Sequence, residues 1–227
     1  MDRGTATVSE DTQMTSRRYR VAAGVALAAT IALVSASCGE VVREGRSPAY
    51  LVIDNLQGAS GAEPDKLQHT LASDVVTNVS VQSGESTVFV PTFYEDAGVV
   101  EAHIAMKDIG TPDRPTEPSS NNLITLDRYH VRYIRSDGRD TPGVDVPHPF
   151  DGAATGTFGK SSSELSFILV RAQAKREAPL LALRGMGGAQ VISTIAEVTF
   201  YGRDQAGNAV SVAGRISVNF ADWGDPQ

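Results

Sequence analysis

The chain has 227 residues, of which 41% are hydrophobic and 21% charged, the composition of a globular protein of one or two domains. Its formal net charge of −7 argues against a nucleic-acid binder, because phosphate contacts need a basic surface. A single cysteine rules out an intrachain disulfide and a multi-thiolate zinc site.

Residues 1–13 are polar and mixed in charge, and a basic run follows with Arg17, Arg18 and Arg20. Residues 21–34 then carry no charge, and small residues lead to Cys38. Basic, apolar and small residues in that order form a secretory signal peptide. Fourteen apolar residues rise about 21 Å as a helix, short of the ~30 Å hydrocarbon core of a bilayer. The reading is therefore a signal peptide over 1–37, with Met14 as an alternative start that puts the basic run at the N-terminus.

Cys38 stands at the end of Ser35-Ala36-Ser37-Cys38, which resembles the lipobox of bacterial lipoproteins. The resemblance implies that Cys38 becomes the lipidated N-terminal residue, in the outer membrane because Gly39 follows it. Ordinary cleavage after Ala36 is the alternative, and it would leave a free thiol. Residues 38–48 read as a polar tether, and 49–224 as a single domain.

Within that domain, residues 50–53 form a strand candidate closed by Asp54 and Asn55. Over 99–107, Val100, Ala102, Ile104 and Met106 share one face, with Glu101, His103 and Lys107 on the other. That period of two marks a half-buried strand. Residues 129–133 repeat it with Tyr129, Val131 and Tyr133, and 165–170 and 195–201 are rich in β-branched and aromatic residues. The clearest strand is 209–221, where Val210, Val212, Ile216, Val218 and Phe220 occupy even positions. A slip of one residue there would turn the apolar set to water. Asp204, Gly207 and Asn208 precede it as the turn of a hairpin.

Two long Pro- and Gly-rich loops, 110–122 and 136–152, are expected on the surface. Residues 172–184 are the one helical candidate, broken by Pro179 and ended by Gly185. It reads as a short segment crossing between two sheets.

Strands at this spacing predict an all-β fold, an antiparallel β-sandwich. The segment 129–133, closed by Asp137 and Gly138, resembles the third strand of fibronectin type III modules. The segment 198–208 resembles the final hairpin of bacterial Ig-like domains. Together they imply an Ig-like sandwich, and the whole chain is similar to uncharacterised bacterial exported lipoproteins.

Candidate chemistry is sparse. His69, His103, His130 and His148 are far apart in sequence, with no HExxH or similar spacing, so no metal or cofactor is expected. Asp137, Asp140, Asp145 and Asp151 make the second loop acidic, which leaves weak calcium binding as an alternative to a solvated loop. Arg128, Arg132, Arg135 and Arg139 crowd one strand and its turn. Such guanidinium groups either grip anionic ligands bidentately or pair with acids across the sheet. The expected contact residues are Arg132, Asp137, Arg139, Asp140 and Phe150, with Phe150 and Val144 read as exposed apolar residues of the loop. The expected function is a non-enzymatic binding or structural module of the cell envelope. It is held by a lipid anchor and presents loops to a protein or glycan partner. A carbohydrate-binding module, or a hydrolase with a convergent site, is the alternative.

Overall fold

The computed structural model describes residues 45–225; the signal-like segment, Cys38 and the start of the tether lie outside the described residues. The described part is a body of its own, built mostly of β-strands. In chain order these are β1 (Ala49–Ala59), β2 (Thr70–Asp74), β3 (Thr77–Ser83), β4 (Ser86–Thr92), β5 (Asp96–Met106), β6 (Gly110–Thr111) and β7 (Arg114–Pro115). They continue with β8 (Ile124–Arg135), β9 (Phe150–Phe158), β10 (Ser163–Val170), β11 (Ile192–Asp204) and β12 (Ala209–Ala221).

Two sheets carry the fold, one in the order β1-β5-β10 and one in the order β2-β12-β11-β8-β9. All their pairings are antiparallel except that of β2, which lies parallel to β12. The inner faces share one apolar core: Leu51, Val100 and Phe167 from the first sheet meet Val131, Val198 and Phe220 from the second. Two facing sheets around one core fit a β-sandwich.

β12 shows the alternation read from sequence, with Ile216, Val218 and Phe220 buried and Ser217 exposed. Its partner β11 is in register with it from Ile192↔Phe220 to Arg203↔Ala209. The turn between them is built by Asp204, whose carboxylate accepts from the Ala206 N–H at 2.9 Å, the Asn208 N–H at 2.8 Å and the Asn208 side chain at 2.8 Å. Burial pushes the Asp204 carboxyl up, yet these donors outweigh it and hold it below its ordinary value.

On β8 the inward parity changes. Ile124 and Leu126 face the core, the pairing shifts around Asp127, and Tyr129, Val131 and Tyr133 then face inward. A bulge of this kind swaps which residues a strand buries. The two tyrosines cross to the other sheet at its own irregularity, where β10 shifts register between Ile168 and Val170. Tyr133 donates to the Leu169 carbonyl at 2.6 Å, and the Tyr129 hydroxyl accepts from the Ile168 N–H at 3.1 Å. The Tyr133 hydroxyl thus meets the carbonyl of Leu169, the residue that the bulge leaves out of the pairing. The Tyr129 ring lies so close over Gly152, and the Phe167 ring over Gly98, that a Cβ at either glycine would meet ring atoms within 2.4 Å. Tyr129, Phe167 and Phe200 then pack edge-on or tilted, with centroids 5.2–6.3 Å apart.

Several expectations need correction. Ser47, placed in the tether, is buried. β1 continues past Asp54 and Asn55 to Ala59 through a register shift. The loop 110–122 holds the β6–β7 hairpin and a 3-10 turn capped by Ser119. The segment 172–184 does pass from β10 of one sheet to β11 of the other, but as two 3-10 turns, Ala174–Arg176 and Leu180–Leu183. The loop after β8 ends at Pro149, because Phe150 already opens β9. The hairpin β3–β4, absent from the sequence reading, exposes Val81, Val88, Phe89 and Val90.

The register of β12 predicts unequal effects for neighbouring substitutions. Val218→Asp buries an unpaired charge at a fully enclosed position and should destabilise the fold by about 3–5 kcal/mol. Ser217→Asp, on the exposed face, should cost less than about 1 kcal/mol. Urea unfolding of the two variants checks this, and equal costs would contradict the register.

Candidate functional site

The loop from β8 to β9 folds against itself through charge pairs. Asp137 receives the Arg139 guanidinium at 2.7 and 3.0 Å and the Arg139 N–H at 3.2 Å. Arg135 adds an ion pair at 3.4 Å. These contacts, Arg139 first, pull the Asp137 carboxyl down to about 2. Arg139 also reaches Asp145 at 3.3 Å. Within the loop, the Thr141 carbonyl accepts from the N–H groups of Val144, Asp145 and Val146. Val146 is buried beneath it.

Arg132 stands on the solvent face of β8 as one end of a cross-strand ladder. Its Nε donates to Glu197 Oε1 at 2.8 Å, and Arg215 donates to Oε2 at 2.7 and 2.9 Å. The registers Glu197↔Arg132 and Glu197↔Arg215 place the three residues side by side on β8, β11 and β12. The two guanidinium groups, Arg132 first, hold the Glu197 carboxyl low. Arg128 stacks on the Tyr201 ring at 4.4 Å. Of the arginines crowded in sequence, Arg128 and Arg132 thus find a ring and an acid across the sheet, whereas Arg135 and Arg139 pair with acids of their own loop.

Beneath the loop lies a cleft of about 440 Å³ lined by Arg132, Asp140, Thr141, Pro142, Pro147 and Pro149, among others. Arg132 and Asp140 therefore line one cleft. Asp137 and Arg139 stand beside it as the brace of the loop. Phe150 does not belong to that surface: it is 7% exposed. Its ring packs edge-on to Tyr129 at 6.2 Å, and the Arg171 guanidinium lies 4.0 Å over it. Between Phe150 and Phe158, which β9 also buries, the inward positions hold Gly152, Ala154 and Gly156, so no apolar alternation announces the strand. Val144 is exposed, as read.

A second cavity, of about 450 Å³, opens at the start of β5 between Ser60, Glu95, Tyr129, Ser166, Phe167 and Ile168, among others. Asp96 also borders it. The Asp96 side chain is buried and meets Lys175 Nζ at 2.7 Å, where both residues are almost wholly enclosed. The Ser73 hydroxyl donates to Asp96 Oδ2 at 2.6 Å and the Gly61 N–H to Oδ1 at 2.9 Å. Burial pushes the Asp96 carboxyl up, against the pull of Lys175, Ser73 and Gly61. Neither residue had been singled out from sequence, where they are 79 positions apart.

One Ser/His/Asp convergence does exist. Ser162 Oγ donates to Asp54 Oδ2 at 2.5 Å, and His103 Nδ1 lies 2.8 Å from the same oxygen. Ser162 first, then His103, holds the Asp54 carboxyl low. A nucleophilic triad needs the imidazole between hydroxyl and carboxylate, whereas here the carboxylate sits between the other two. His130 meets Asp151 at 3.2 Å. Among the described residues, no group of three or more His, Cys, Asp or Glu is arranged to hold a metal ion. Of the four acids weighed for calcium, Asp137 and Asp145 face Arg139 and Asp151 faces His130, while Asp140 stands exposed. Comparison with known proteins returned no match to a family model, to a curated protein or to a solved structure.

Proposed function

We propose that this chain is an exported lipoprotein whose Ig-like β-sandwich acts in the cell envelope by holding a protein partner, without turning over a substrate. The cleft under the β8–β9 loop carries the reading. It offers a guanidinium and a carboxylate, Arg132 and Asp140, over walls of Pro142, Pro147 and Pro149. Apolar walls with a few placed polar groups are the usual make-up of a binding surface, and opposite charges give an extended peptide segment both a donor and an acceptor. The loop is braced before any partner arrives, which lowers the ordering cost of binding. The order of basic run, apolar run and Cys38 supports export and anchoring. The shared oxygen of Asp54 favours this reading over a hydrolase.

Asp140 has no hydrogen-bond or ion-pair partner among the described residues, and it is exposed, so it can be changed with little cost to the fold. A photo-crosslinking side chain at position 140 should join the protein to one specific envelope protein in living cells. The same group at Glu85, on the β3–β4 turn, should not give that adduct, and Arg132→Glu should abolish it. Adducts of equal yield and identity from both positions would contradict the cleft assignment. For the anchor, Cys38→Ala should move the protein from the membrane fraction to the soluble one. An unchanged distribution would remove the lipid from the account.

A further inference from the structure

Lys175 and Asp96 form a pair whose members are 1% and 0% exposed. Lys175 belongs to the first 3-10 turn of the crossing segment, Asp96 opens β5, and Ser73 comes from β2 of the other sheet. An ammonium and a carboxylate taken wholly out of water are each strongly destabilised. An amide of the same atoms would carry no charge and retain one donor and one acceptor. The cluster also resembles a reaction site in its geometry. Nζ is 2.7 Å from Oδ1, one carbon–oxygen bond from Cγ. Groups held this way react with effective molarities of about 10⁵–10⁸ M when aligned.

We propose that Lys175 Nζ and the Asp96 carboxyl condense after folding into an intramolecular isopeptide bond. One proton passes from the ammonium to the carboxylate, leaving a neutral amine beside a neutral acid. The amine lone pair attacks Cγ, and the Nζ–Cγ bond forms. The negative charge that gathers on Oδ1 is met by the Gly61 N–H, which already donates to that atom at 2.9 Å. The Cγ–Oδ2 bond then breaks. The nitrogen, now bonded to Cγ, gives up its surplus proton to the departing Oδ2 hydroxyl, to which the Ser73 hydroxyl donates at 2.6 Å, and water leaves. No oxidant, reductant or co-reactant enters.

The surroundings fit this chemistry. Burial favours the neutral acid over the carboxylate at Asp96. A second carboxyl, Asp74, follows Ser73 on β2 and is also raised by burial, and Lys175 is among the charges that oppose the rise. A buried group of this kind can hold a proton during the exchange. The product would join β5 of the three-stranded sheet to the segment that leads into the five-stranded one, closing a covalent loop across the domain.

Mass spectrometry of the purified full chain tests the bond without any substitution. Trypsin acting on an unlinked chain releases the linear peptides 67–107 and 172–175. The linked chain resists cleavage after Lys175 and should give, as its main product, a branched peptide joining 67–107 to 172–176. That product should be lighter than the two parts by one water, with fragment ions locating the junction at Asp96 and Lys175. Asp96→Ala should restore the linear peptides. Linear 67–107 and 172–175 as the main products of the wild-type chain would overturn the proposal.

Discussion

Asp96 and Lys175 meet at 2.7 Å in a place that water does not reach, and the arrangement of the domain follows from what surrounds them. The carboxylate collects a donor from each part of the fold that comes together there: Gly61 from the turn after β1, Ser73 from β2 and Lys175 from the crossing segment. A buried charge left alone costs several kcal/mol, so these segments cannot part independently. Hydrophobic packing holds the sheets near one another without direction. The polar cluster fixes their relative position, because its hydrogen bonds tolerate little displacement. Tyr133 and Tyr129 supply further crossings, each hydroxyl meeting the backbone of β10 where its ladder is interrupted.

That internal rigidity bears on the surface read as functional. The β8–β9 loop starts at the end of β8, the strand that carries the two bridging tyrosines on its inward face. It runs into β9 at Phe150, which is held between Tyr129 and Arg171. Both ends of the loop are therefore anchored in the core, and Arg139 spans its middle by reaching Asp137 and Asp145. Loops on a fixed scaffold commonly carry recognition, and this one presents its cleft already shaped.

Legibility in the sequence tracked the distance over which the determining contacts act. β12 is legible because its alternation is local, with one face half-buried at Val210 and Val212 and buried at Ile216, Val218 and Phe220. β5 was legible for the same reason along most of its length. β9 is not, because glycine and alanine fill its middle inward positions, with the Tyr129 ring against Gly152 and the Leu165 side chain against Gly156. Phe150 reads as exposed because it falls in the Pro- and Gly-rich segment 136–152. Only contact with Tyr129 and Arg171 explains its burial. Arg132 and Asp140 stand out in the sequence because both fall in or beside one charged loop, and both line the cleft beneath it. Ser73, Asp96 and Lys175 gave no signal. Their spacing has no period, and a lysine in a short polar helical segment reads as a solvated residue until the fold closes over it.

The claim that this cluster governs the domain is tested most directly by comparing Lys175→Met, Asp96→Leu and the double variant in urea unfolding. Removing one partner should cost about 3–5 kcal/mol by leaving the other charge buried and alone. Removing both should cost less than the two single changes added together, and less than the worse of them, because no charge is then stranded. Single variants within about 1 kcal/mol of the wild type, or costs that simply add, would contradict the account.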